Sequence, residues 1–383
     1  MALPSLSLVL KIATAPWVIL KTTFEYYVTG TVYTQTDPEF DSLAKNLNVA
    51  TAIHLAQGIR GRDADLVMGL MYSYFARYKN MPAVLGLPHY GEKVVDEETL
   101  AWLVKPEGAK KALLYFHGGG YLFPFAPQQF AGMIGVWYAV DSEKRQDLAI
   151  AMLDYLVTSH EKYYPTQIYE AVKAYRQLVD QGYEVIPMGD SAGGNLALAV
   201  ARFAAYPTEA EAQFSRYTDF NWDFLPLPPP KTLVLIAPWV HTDKGAAIYP
   251  GVNHDGDFIR LSVNSKGDLY ITGLDRKSVA PFVDFNGTTY EDHWAKVPAF
   301  VDGAILYIYG ERELLRGSQE LFAKEKDKGT FTTKMQPGGI HDAMFVVDVL
   351  DINLKKGMAD VVAGKHRSKF NFGAVGEFLD SRL

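Results

Sequence analysis

Four short stretches of this chain carry residue types, in an order, that suit acyl transfer through a serine. Gly189-Asp190-Ser191-Ala192-Gly193 is a G-x-S-x-G lying between an apolar strand-like run and a helix-like run. At such a turn a serine is held with its hydroxyl exposed above the end of a sheet. His117-Gly118-Gly119-Gly120-Tyr121 follows a second apolar run and offers three glycines whose backbone can approach a substrate. Amides of Gly118 and Gly119, with that of Ala192, are expected to donate to a developing oxyanion. Gly120, Tyr121 and Asp190, beside them, are expected to contact substrate. Gly338-Gly339-Ile340-His341-Asp342 places His341 as general base, last in the chain. Gly310-Glu311-Arg312-Glu313 lies between serine and histidine, where the acid of such a triad belongs. Glu313 is favoured because it is further into the loop and leads Leu314-Leu315. Glu311 remains its competitor.

The elements that must carry these residues are readable as short apolar runs alternating with helices. Strands are expected at 100–104, 112–116, 148–153, 183–188, 232–237, 304–309 and 331–335, with helices after the serine and over 167–180. This alternation predicts an α/β fold, a mostly parallel central sheet with helices on both faces. All four stretches then fall at carboxyl ends of strands, where such sheets place their sites. Residues 40–80 keep helical spacing. Residues 1–97 are therefore expected to form a helical cap over a catalytic domain of 98–383, with about 241–298, which lacks a strong period, contributing to the cap.

Composition narrows the classes. The 383 residues can bury a large core, and a formal charge of −7 argues against a nucleic-acid partner. With no cysteine, thiolate catalysis and disulfides are excluded. His254 with Asp255 and Asp257 lacks the further ligands a metal site needs, so no metal and no cofactor are expected. The remaining histidines (His54, His89, His160, His241, His293 and His366) read as surface or packing residues. Abundant aromatics near the cap and the glycine loop (Tyr72, Tyr74, Phe75, Tyr78, Tyr121, Phe123 and Phe125) suit either a bulky apolar substrate or ordinary core.

Residues 2–20 are apolar apart from Lys11 but are interrupted by Pro4 and Pro16. They read as a lid helix, an interfacial anchor or a spanning segment; a basic region before the apolar stretch, usual in a secretory signal, is lacking. An intracellular protein is expected, either cytoplasmic or associated with the endoplasmic-reticulum membrane. Ser381-Arg382-Leu383 is a close variant of the peroxisomal S-K-L address.

His117–Gly120 together with Gly189–Gly194 resembles the hormone-sensitive-lipase-like branch of the α/β-hydrolases, over roughly residues 98–345. Asp154-Tyr155 with Tyr164-Pro165 resembles that family's D-Y-R-L-A-P-E segment, with Leu156 where arginine is usual. Ala237-Pro238-Trp239 resembles its S-P-W strand end. Glu311-Arg312-Glu313-Leu314-Leu315-Arg316 resembles its E-x-D-P-L-R segment, a match that puts the catalytic acid on Glu313. The wording of that segment and the apolar N-terminus resemble a fungal sub-branch that includes steryl acetyl hydrolases. The resemblance implies an α/β-hydrolase fold and a serine esterase acting on an apolar ester, an acetyl or other short acyl ester of a bulky alcohol such as a sterol or natural product. Two other readings keep the same residues. One is non-hydrolytic chemistry (condensation, cyclisation or acyl transfer) in a fungal natural-product pathway. The other is a binding protein, which the presence of His341 opposes.

Overall fold

The computed structural model describes residues 4–31, 40, 42–56, 59, 62–95, 98–242, 256–259, 263–286, 294–353 and 355–383. Its centre is a seven-stranded sheet in the order β1-β3-β2-β4-β5-β6-β7. These strands are β1 (Leu100–Val104), β2 (Lys111–Phe116), β3 (Leu148–Leu153), β4 (Glu184–Asp190), β5 (Thr232–Ile236), β6 (Ala304–Gly310) and β7 (Phe331–Gln336). Only β1 runs antiparallel to its neighbour, β3; every other pair is parallel. All seven coincide with the apolar runs to within two residues. Parallel strands covered on both faces lose all polar exposure, so β3 and β6 are buried along their whole length. At the edge, β7 exposes Thr332, Thr333 and Lys334 and so resists pairing with another chain.

Two cores cover the two faces. One is built by the helices Thr166–Asp180 and Ala192–Ala205 with Trp239 and Tyr270. The other is built by Pro127–Ala139, the C-terminal helix Phe370–Asp380 and, from further up the chain, Met71–Tyr78. Met71, Tyr74, Phe75 and Tyr78 recur at helical spacing and bury one stripe against Phe130. That stripe sends residues 71–84 to the sheet layer, away from the pocket, so the helical cap expected over 1–97 is shorter in this respect. Tyr74, Phe75, Tyr78, Tyr121 and Phe125 are accordingly core residues, and of the aromatics singled out only Phe123 lines the pocket.

Ahead of that helix lie α1 (Leu6–Phe24), α2 (Leu43–Ala56) and α3 (Arg62–Met68). Ser5 caps α1 by accepting from the Leu8 N–H, and its hydroxyl and amide both donate to Asp63 of α3. Lys11 donates to the His54 carbonyl of α2 at 2.6 Å. Yet α1 buries little of itself: Leu6, Leu10, Ile12, Trp17, Leu20 and Phe24 all stand in solvent. At the other terminus the chain is tied down. Arg382 and Leu383 turn back to bond the Leu379 carbonyl, and Lys111 donates to the carbonyl of Arg382.

Candidate active site

Sharp turning at the end of β4 is written into the glycines. A Cβ on Gly193 would lie 1.9 Å from the Phe116 carbonyl oxygen, and one on Gly189 would lie 2.2 Å from the Gly193 backbone. Strand β2, strand β4 and the helix after Ser191 meet too closely for any side chain there. Ser191 itself is held at φ 51°, a left-handed conformation that a residue with a Cβ adopts only under constraint. Its carbonyl accepts from Asn195 and Trp239, and its amide donates to Ile236.

The hydroxyl of Ser191 is 2.8 Å from His341 Nε2, and His341 Nδ1 is 3.0 Å from Glu313 Oε2. All three side chains are buried. Glu313 is itself oriented by the Gly310 N–H at 2.6 Å on Oε1 and by Gln319 Nε2 at 2.8 Å on Oε2. Glu311 faces elsewhere: its Oε2 accepts from the Gly338 N–H at 2.7 Å. With Arg312 N–H donating to the Gly339 carbonyl, it stitches the acid loop to the histidine loop. The geometry thus separates the two competing glutamates, one facing the imidazole and the other bracing the backbone.

Asp257 is a residue that sequence reading considered only for a metal. It is fully buried, and its two oxygens accept from the backbone N–H groups of His341 (2.8 Å) and Leu314 (2.7 Å). His254 and Asp255 lie outside the described residues, and no cluster able to hold a metal occurs among those described. Nothing in the periodicity of 241–298 signals this role, because His341 and Leu314 are distant in the chain.

Burial works to lower the pKa of His341, but Asp342, then Glu313 and Asp257, outweigh it and raise it. Asp342 Oδ2 is 3.3 Å from Nε2, the atom that also meets Ser191. Burial pushes Asp342 itself well above the usual carboxylate range, against the opposing pull of the His341 charge. His117 is driven down to about 4 by burial and stays neutral, stacked on Tyr155 at 4.0 Å.

The glycine loop departs from expectation at two residues, Gly118 and Tyr121. The amide of Gly118 is committed, donating to Asp190 Oδ1 at 2.9 Å. Asp190, which lines the cavity, also accepts from the Tyr115 hydroxyl at 2.5 Å and from Gln129 Nε2 at 2.8 Å, and so holds the loop to the elbow. Tyr121 is fully buried, donates to Asn195 Oδ1 at 2.8 Å and lies off the pocket. Gly119 and Gly120, at φ 120° and 63°, need glycine's freedom, and no described group accepts from their amides or from that of Ala192. Those three N–H groups are the donors free to meet an oxyanion.

Above Ser191 opens a largely apolar cavity of about 300 Å³. Its floor is the glycine loop, Ser191, His341 and Asp342; its roof includes Ala52, Ile53 and Leu55 of α2, Val67 and Met68 of α3, and Phe258 and Ile259. A serine, a base, an acid and unpaired amides under an apolar cover can carry out nucleophilic acyl transfer.

A family model described as steryl acetyl hydrolase matches residues 89–335. The chain is 25% identical, over 98% of itself and 98% of its relative, to mug81 of Schizosaccharomyces pombe, a protein assigned by name to the steryl acetyl hydrolases. It is 26% identical to steryl acetyl hydrolase 1 of Saccharomyces cerevisiae, across 58% of this chain and 50% of that protein. Among solved structures, an esterase of the bacterial hormone-sensitive lipase family superimposes with a TM-score of 0.54 at 19% identity. That likeness, which spans 89% of this chain and 98% of the other, concerns the fold alone. The molecule is a carboxylic-ester hydrolase with the α/β-hydrolase fold. More narrowly, the chain belongs to the steryl acetyl hydrolase family.

Proposed function

We propose that the enzyme cleaves an acetyl or other short acyl ester of a bulky apolar alcohol, of which a sterol is one example, through an acyl-serine. The observation that carries this reading is the unbroken line Ser191 Oγ–His341–Glu313 beneath an apolar cavity. In it, His341 Nε2 takes the Ser191 proton as Oγ attacks the ester carbonyl. Amides of Gly119, Gly120 and Ala192 receive the oxyanion, Ala192 from the first turn of its helix. His341 then returns the proton to the departing alcohol oxygen, leaving the acyl group on Ser191. Water attacks next, again giving its proton to His341, and the carboxylic acid leaves as Oγ regains a proton. Glu313 keeps Nδ1 protonated and offsets the imidazolium charge throughout. The relatives' names support an acetylated sterol as the model substrate.

The exposed apolar face of α1, extended by a further turn to Thr29, supports contact with a membrane surface. This helix is long and apolar enough to cross a bilayer. Non-hydrolytic use of the same serine is not favoured, since the family and the relatives are named for ester hydrolysis.

The test is turnover of 4-nitrophenyl acetate, with a burst of nitrophenol and a trapped acetyl mass on Ser191. Ser191→Ala is expected to lower kcat by on the order of 10⁶-fold. A variant that keeps its turnover would defeat the assignment.

A further inference from the structure

Polar atoms on the cavity wall are mostly spent on the protein itself. Asn48 donates to the Val346 carbonyl, Thr51 to the Leu47 carbonyl, and Gln129 to Asp190. Lys266 is different. It sits on the helix Val263–Tyr270, which two contacts fix in place. Gly267 has no side chain, so the helix can press on the Thr242 carbonyl, where a Cβ would lie 2.4 Å away. Tyr270 stacks on Tyr121 at 4.0 Å. From that rigid seat the Lys266 stem lies across the glycine loop, its Cδ 2.8 Å from where a Gly120 Cβ would be. Its ammonium rests 4.9 Å from the centre of the Phe123 ring, inside the cavity wall. No carboxylate or carbonyl among the described residues accepts from it.

An ammonium on an apolar wall without an anionic partner has a definite preference. Covering it with hydrocarbon removes water and gives nothing back, whereas covering it with an anionic oxygen forms a charge-assisted hydrogen bond in a poorly solvated site. We infer that Lys266 is a specificity-determining residue that receives an anionic oxygen, a carboxylate, carried by the ester substrate away from its scissile carbonyl. This rests on the ester-hydrolase reading and refines it: the preferred substrates are acyl esters of bulky alcohols that also bear an acid group. Burial lowers Lys266 to about 8, as expected where no described residue sets a counter-charge beside the ammonium. The cation–π contact with Phe123 is worth less than a paired charge and leaves the ammonium's N–H donors free for a ligand.

The experiment compares 3- and 4-acetoxybenzoate with their methyl esters, which keep the acetyl group and ring but lose the charge. Wild type should hydrolyse the better-fitting acid at least as efficiently as its methyl ester. In Lys266→Met, the ratio of kcat/KM for that acid to kcat/KM for its methyl ester should fall by roughly 10- to 100-fold, the value of a charged hydrogen bond. An unchanged ratio, including one in which both rates fall together, would overturn the inference. A second measurement needs no variant: in wild type, the hydroxybenzoate product should protect Ser191 from a fluorophosphonate at lower concentration than its methyl ester does. Equal protection would also overturn it. Turnover of neither ester type by wild type would instead defeat the hydrolase reading, and the inference with it.

Discussion

Floor and roof of the cavity are built on different terms. On the floor, each reactive side chain stands at the end of a strand and is pinned by a neighbour: Glu313 by Gly310 and Gln319, the His341 amide by Asp257, the glycine loop by Asp190. On the roof, α2 and α3 meet the cavity with Ala52, Ile53, Leu55, Val67 and Met68, which have shape but no directional bonds to offer. The contrast implies that chemistry is set below and the fit to the substrate's bulk above. A strained floor pinned by hydrogen bonds tolerates almost no change in geometry, while an apolar roof can change volume without disturbing the reacting atoms.

Substitutions can break that division or sharpen it. The largest expected effect is on the floor. Glu313→Gln should lower kcat by about 10⁴-fold, because an amide no longer enforces the imidazole tautomer. Glu311→Gln keeps an acceptor for Gly338 and should stay within about 10-fold of wild type by the same steady-state assay. Equal losses in the two would erase the distinction that the geometry draws. Next comes the roof. Ala52→Phe should cut kcat/KM for a polycyclic acetate relative to phenyl acetate by roughly 10- to 200-fold, the range that a filled apolar pocket commands. If both esters suffered alike, the roof would be structural and not selective.

The smallest effect lies off the cavity, where the helix Met71–Tyr78 meets the end of β3. Asp154, at the end of β3, accepts from the Met71 N–H, and burial raises it to about 6. Its pKa in the folded protein therefore exceeds that of the unfolded chain. The stabilising contribution is complete below about pH 4 and is lost as pH rises through about 6. Asp154→Asn has no charge to bury. Thermal melts should show its stability gaining on wild type between pH 5 and pH 8, by about 1 to 3 kcal/mol. A difference that does not vary with pH would mean that the carboxyl is not destabilised by burial.

Much of the floor was legible beforehand because local rules set it. Apolar runs placed all seven strands, and the spacing of glycines around Ser191 marked the turn. Glu313 was favoured over Glu311 by its place in their shared loop, and the position of His341, 28 residues further on, agrees. What escaped was decided by partners far along the chain. The Gly118 amide, an oxyanion donor by its place in the motif, is occupied by Asp190, 72 residues away. Asp257 left no local trace of this role, since the His341 and Leu314 amides that it holds are brought in by folding. Tyr121 and the helix Met71–Tyr78 were misplaced for a simpler reason: an aromatic stripe looks the same whether it faces a ligand or a core.

Ser191 and His341 are 150 residues apart in the chain. At about 5–20 residues per second, a ribosome takes roughly 8 to 30 seconds to make the stretch between them. Throughout that interval the growing polypeptide carries a serine with only the reactivity of an ordinary alcohol. Ser191 becomes an activated nucleophile only when the loop after β7 delivers His341, so a fragment released before that loop has no base for its serine.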